Sequence, residues 1–136
     1  VDPVTGIDTE KLISLARQSM QHAHAPYSGL SVGAALLAGR KLFRGANVEN
    51  ASFSATICAE RVAAASAVAA GARDLVAIGI VTSGVRPVPP CGICRQFLSE
   101  FGSDLVVVSE GSGGERKTWR LKELLPETFG GAFLRP

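Results

Sequence analysis

"LVAIGIVT", residues 75–82, is a near-continuous run of β-branched side chains. A strand with one face in water alternates apolar and polar residues. This one does not, so it reads as a central strand covered on both faces. Upstream stands "CAERVAAASAVAAG", residues 58–71, closed by Gly71. Alanine favours the helix, and apolarity round the whole circumference predicts that the helix is buried. Downstream, Pro89 and Pro90 introduce "CGICRQFLSEFG", residues 91–102, a further helix ended by Gly102. "DLVVVSE", residues 104–110, reads as another buried strand. The middle of the chain is therefore β-α-β-α-β, which favours right-handed crossovers and parallel neighbours.

The flanks extend this pattern. In "IDTEKLISLARQSMQHA", residues 7–23, Leu12, Ile13, Leu15, Ala16 and Met20 recur at helical spacing, with Asp8 or Thr9 as cap and Pro26 beyond the end. "SVGAALLA" (31–38) and "KLFRGANV" (41–48) are strands joined at Gly39–Arg40, a hairpin. "GSGG" (111–114) is a turn or flexible loop, "RKTWRL" (116–121) a short strand and "LKELLPETF" (121–129) a final helical turn or two. The order α-β-β-α-β-α-β-β-α predicts a single α/β domain over residues 1–136, with three layers, α/β/α, around a mixed sheet of about five strands.

Composition narrows the class. With 136 residues, 46% hydrophobic and 19% charged, the chain has the make-up of a globular domain with a real core. Its net charge is +2 and no run of like charges occurs, which argues against a nucleic-acid polymer or an anionic membrane as partner. The apolar stretches stop well short of a membrane span. The chain opens "VDPVTG" with neither Met nor an export leader, and it holds three cysteines, an odd number. The expectation is a cytoplasmic protein with reduced thiols. "NAS" at 50–52 then matches a glycosylation sequon by chance.

The cysteines carry the chemistry. Cys58 opens one helix, and Cys91 and Cys94 stand in the first turn of the next. Exposed N–H groups at a helix N-terminus favour the thiolate. Two such helices side by side would gather three thiolates, and three protein ligands with a fourth position left to water is the catalytic zinc pattern. Glu60 lies two residues after Cys58, off its face, so it would miss the metal yet reach the substrate space as general acid and base. Three thiolates outweigh a divalent cation by one charge, so a cation is needed nearby. Arg61, one turn after Cys58, is the nearest by sequence, and Arg95 beside Cys94 is the second candidate. Two other readings stand beside this one. A thioredoxin-like dithiol would use Cys91 and Cys94 alone and leave Cys58 and Glu60 without a role. A structural zinc module would need a fourth ligand, for which His22 and His24 are the supply.

"TICAER" (56–61) followed by "PPCGICRQ" (89–96) resembles the zinc nucleoside deaminases. Within them the chain is similar to the small homotetrameric cytidine deaminases over nearly its whole length. "APYSGLSVGAALL" (25–37) and "GANVENASF" (45–53) resemble that family's N-terminal segments, and "ELLPETF" (123–129) its C-terminal one. The resemblance implies a cytidine deaminase-like fold and one Zn²⁺ per chain, held by Cys58, Cys91 and Cys94. It implies hydrolytic deamination of cytidine and 2′-deoxycytidine to the uridine forms plus ammonia, in pyrimidine salvage. A deaminase of another cytosine nucleoside, such as an antibiotic, is the alternative. Glu60 would move the proton from water to the ring nitrogen and then to the leaving ammonia. Asn47 and Glu49 would hold the ribose hydroxyls, the N–H of Ala59 the pyrimidine 2-oxo group, and Phe129 would reach into a neighbouring subunit's site. Leu30 stands where relatives commonly carry Phe, an aliphatic residue in place of an aromatic wall for the base.

Overall fold

The computed structural model describes residues 6–135. Its elements are α1 (Thr9–Met20), β1 (Val32–Ala38), β2 (Lys41–Ala46), α2 (Ala59–Ala69), β3 (Leu75–Thr82), α3 (Gly92–Ser99), β4 (Val106–Glu110), β5 (Arg116–Arg120) and α4 (Leu121–Leu124). Short 3₁₀ turns at Phe53–Ala55 and Gly131–Phe133 add to the expected order. Asp8 caps α1, its carboxylate accepting from the N–H of Lys11 at 3.1 Å. Gly39 sits at φ +60° in the two-residue β1–β2 loop, where the twist of a hairpin needs a left-handed residue.

The five strands run in the order β2-β1-β3-β4-β5. β1 is antiparallel to both β2 and β3, β3 and β4 are parallel, and β5 is antiparallel to β4. The parallel neighbours expected through the middle of the chain are thus confined to one pair. β2 and β3 point the same way, but β1 lies between them. The reason is burial. β1 is apolar on both faces and needs an interior place, whereas β2 carries exposed Lys41 and Arg44 and tolerates the edge.

Side-chain alternation sends the sheet's two faces into two cores. Ala35, Ala77, Val81, Val106 and Val108 pack against Leu12, Ile13 and Ala16 of α1. Leu36, Ile78, Ile80 and Val107 pack against Ala63, Ala64 and Ala67 of α2 and Leu98 of α3. These are the three expected layers. The ion pairs Arg17–Glu110, Arg116–Glu110 and Arg116–Glu10 fasten α1 to β4 and β5.

One expectation about α2 is corrected. Ala59, Glu60, Ala63, Ala64 and Ala67 are buried, but Ala65, Ser66, Ala69 and Ala70 face out. An outer-layer helix offers the sheet one face only. The buried face comes unusually close. A Cβ on Gly45 of β2 would overlap the carbonyl oxygen of Ala59 and lie 2.6 Å from the N of Ala63. The missing side chain lets the first turn of α2 rest directly on the sheet.

Candidate metal centre and active site

Topology brings the cysteines together. β2 and β3 run the same way, and α2 and α3 follow them in the chain, so both helices begin at the same end of the sheet's strands. Cys58 is the N-cap of α2 and Cys91 that of α3, both in extended conformation, with Cys94 in the first turn. The three Sγ atoms lie within 4.8 Å of one another, and Cys58 and Cys91 are 3.7 Å apart. Zinc–sulfur bonds of about 2.3 Å in a tetrahedron require sulfur separations of about 3.8 Å, so the donor set fits one zinc ion. Among the described residues no other group of three potential ligands is close enough to hold a metal, and His22 and His24 stand outside this one. The third thiol beside the C-x-x-C pair is what a dithiol redox site would not need.

Charge at the cluster is balanced locally. Arg61 Nη2 lies 3.7 Å from Cys58 Sγ and 3.4 Å from the Thr56 carbonyl oxygen. Arg95 turns away: its Nε donates to the Pro90 carbonyl at 2.7 Å and its Nη1 to that of Leu124 at 2.9 Å. Of the two cations expected near the sulfurs, Arg61 is thus the one bonded to a thiolate. Donation from the Cys94 thiol, with Arg61 assisting, draws Cys58 down to about 5, while the same bond and burial push Cys94 up.

Glu60 stands outside the sulfur cluster and is only 5% exposed. Burial pushes its carboxyl up to about 7, and the negative charge on Cys58 acts in the same direction. A carboxyl that exchanges its proton near neutrality is suited to general acid and base work. The N–H of Ala59, first residue of α2, is one of the donors a helix start leaves without an intrahelical acceptor.

The remaining expected residues fall on an adjoining loop system. The chain at Asn47–Glu49 is laced between His24 on one side and Ile57 on the other: His24 donates to Asn47 O at 2.9 Å, Glu49 to His24 O at 2.8 Å, and Val48 and Ile57 exchange both backbone bonds. Asn47 is buried and spends its amide on the chain ahead of β1, accepting from Val32 N at 2.9 Å and donating to Leu30 O at 2.8 Å. Glu49 accepts from the N–H groups of Tyr27 and Ser28 and from the Ser28 hydroxyl, which hold its carboxyl below the usual range, the hydroxyl most of all. Leu30 is exposed, and its Cδ1 lies beside Gly84, just past the end of β3, where an added Cβ would touch it at 3.4 Å. Phe129 lies on the C-terminal segment, 56% exposed and stacked on Phe133 with centroids 5.7 Å apart.

Sequence reasoning passed over Tyr27, Phe53 and Thr56. With Ser28 and Glu49 they line a cavity of about 380 Å³. Tyr27 and Phe53 meet edge to face at 5.9 Å. Both lie inside the quoted segments, but no spacing rule says that they meet. A larger cavity of about 770 Å³ opens at the opposite end of the strands, around the starts of β3 and β4. Its Asp104 is paired with Arg120 and Lys122, and it is remote from the sulfurs; size is a poorer guide here than chemistry.

Known proteins agree with this geometry. Residues 7–110 match the family model for the cytidine and deoxycytidylate deaminase zinc-binding region. The chain is 45% identical over 125 residues to a cytidine deaminase of Halalkalibacterium halodurans, covering 90% of this chain and 95% of that one. The crystal structure of a cytidine deaminase from Burkholderia pseudomallei superposes with a TM-score of 0.86 at 42% identity, covering 90% of this chain and all of the other. A blasticidin-S deaminase of Bacillus cereus is further off, 31% identical over 129 residues, with 88% of this chain and 85% of that one covered. The matched residues include both cysteine helices and the strand β3 between them in the chain, and on this likeness the chain is a member of the cytidine deaminase family.

Proposed function

We propose that the chain deaminates cytidine and 2′-deoxycytidine hydrolytically, releasing ammonia, as a step of pyrimidine salvage in the cytoplasm. The observation that carries this reading is the buried Glu60 carboxyl on the helix that also brings Cys58 to three convergent sulfurs. Zinc held by Cys58, Cys91 and Cys94 supplies a water acidified toward neutral pH. Glu60 would move a proton from the attacking water to the ring nitrogen N3 as the water oxygen bonds to C4. It then passes the second proton to the amino group, the C4–N bond breaks and ammonia leaves. The Ala59 N–H orients the base through the 2-oxo group. Asn47 has a second N–H beyond its bond to Leu30, and Glu49 binds a sugar hydroxyl by displacing or adding to Ser28. Leu30 borders the base. Arg61 offsets the charge of the thiolates.

The active form is a homotetramer in which Phe129 completes a neighbour's site. Its exposed ring and the uncovered small-residue face of α2 support this reading. The test is zinc content together with the fall in cytidine absorbance. The expected result is about one zinc per chain with turnover, and a Glu60→Gln variant that keeps zinc but loses at least about 10²–10⁴ of the rate. Zinc-loaded protein inert toward every cytosine nucleoside would overturn the proposal. Turnover of an antibiotic nucleoside in preference to cytidine would favour the alternative substrate, to which Leu30 points.

A further inference from the structure

Two adjacent side chains of α3 reach away from the metal centre and grip the C-terminal segment at both ends. The Arg95 guanidinium spans the Pro90 carbonyl, at 2.7 Å from Nε, and the Leu124 carbonyl at the end of α4, at 2.9 Å from Nη1. Gln96 Nε2 donates to the Phe129 carbonyl at 2.7 Å. Between those points Thr128 Oγ1 closes the turn on Leu125 O at 3.0 Å. Pro90 is buried and directly precedes Cys91, the N-cap of α3. One planar fork therefore fixes the peptide that aims a metal ligand and, with its other arm, the start of the segment that carries Phe129. A guanidinium holds its two arms rigidly relative to each other, so displacement of one carbonyl is felt at the other.

We propose that Arg95 is a positioning residue that couples zinc binding at Cys91 to the placement of residues 124–129. Metal draws the Cys91 loop to one position, the fork transmits that position to Leu124, and Gln96 carries it to Phe129. Coupling between two sites is reciprocal, so the docked segment also strengthens metal binding. If Phe129 completes a neighbour's site, metal in one subunit sets an aromatic wall in the next. The inference rests on the proposed role of Cys91 as a zinc ligand.

Hydrogen exchange and chelator competition on the full chain test it. In the wild-type protein, stripping zinc should speed amide exchange over residues 124–130. In Arg95→Ala the zinc dissociation constant should rise about 10–100-fold, the range for residues that orient metal ligands, and exchange over that segment should be fast with or without zinc. Arg95→Lys, with no second arm, should restore little. Gln96→Ala should speed exchange at the Phe129 end and weaken zinc binding, but by less than Arg95→Ala does, since its bond is separate from the Pro90 arm. Identical segment exchange in zinc-loaded and stripped wild-type protein would overturn the proposal without recourse to any variant. So would wild-type zinc affinity in folded Arg95→Ala. A chain that takes up no zinc would instead overturn the metal assignment.

Discussion

Arg61 Nη2 stands 3.7 Å from Cys58 Sγ, and the same nitrogen reaches the Thr56 carbonyl. The guanidinium is thereby held against the sulfur whose helix also carries Glu60. Arg61→Ala should lower turnover and move the acid limb of the pH–rate profile to higher pH. The water at the metal ionises less readily once a positive charge is lost from beside the thiolate. Arg61→Gln should lose less, because it retains a donor. Arg95 is committed to two carbonyls and cannot substitute. An unchanged profile and zinc affinity in Arg61→Ala would leave the helix N-termini as the balancing charge.

Glu60 should make the metal-free protein less stable as pH rises. Its carboxyl sits at about 7 in the fold against an ordinary value of 4.5. Between those values the folded chain keeps a proton that the unfolded chain has released, so stability falls with rising pH across that window. The full gap corresponds to roughly 3 kcal/mol. Metal-stripped Glu60→Gln should therefore match stripped wild type near about pH 4 and exceed it by roughly 3 kcal/mol near about pH 8 in urea unfolding. Equal stabilities at both pH values would show that the carboxylate is solvated.

Asn47 should matter to the fold before it matters to any ligand. Asn47→Ala removes the partner of a backbone donor, Val32 N, and of a backbone acceptor, Leu30 O. A buried group left unpaired costs about 1–3 kcal/mol. Thermal unfolding should fall measurably in protein without substrate. An unchanged midpoint would mean that water takes over both bonds.

Gly45→Ala should disturb α2 at its N-terminal end, where Cys58 and Glu60 stand. Its Cβ would overlap the Ala59 carbonyl and approach Ala63 N to 2.6 Å, both backbone atoms that no rotamer moves. Overpacking of this kind costs about 1–3 kcal/mol. The first turn of α2 should shift, so zinc affinity should fall along with stability. A variant less stable but normal in zinc affinity would show that the helix tilts about its N-terminus and leaves Cys58 in place.

Leu30→Phe addresses the substrate. An aromatic contact is worth about 0.5–1.5 kcal/mol beyond its area, enough to lower the Michaelis constant for cytidine a few-fold. No change for any cytosine nucleoside would show that position 30 does not touch the base.

The secondary structure was legible because its signals are local. The β-branched run of 75–82, the Asp8 cap, the Gly39 turn and the two cysteine-headed helices each depend on residues a few positions apart. The offset of Glu60 from Cys58 and the spacing of Cys91 and Cys94 belong to the same class, since helical periodicity alone sets them, whereas the meeting of Cys58 with that pair depends on topology. Other features waited for the tertiary structure. The insertion of β1 between β2 and β3 follows from competition among whole strands for the interior, and that insertion still leaves α2 and α3 starting at one end of the strands. Arg61 and Arg95 are each near a cysteine in sequence, yet only the packing of α4 gives Arg95 the Leu124 carbonyl and turns it from the sulfurs. The outer face of α2 is as apolar as the inner one, and only the sheet decides which is covered. Local sequence sets periodicity and caps; contacts between distant segments depend on which surfaces compete for the same space, and that competition is resolved only when the whole chain is packed.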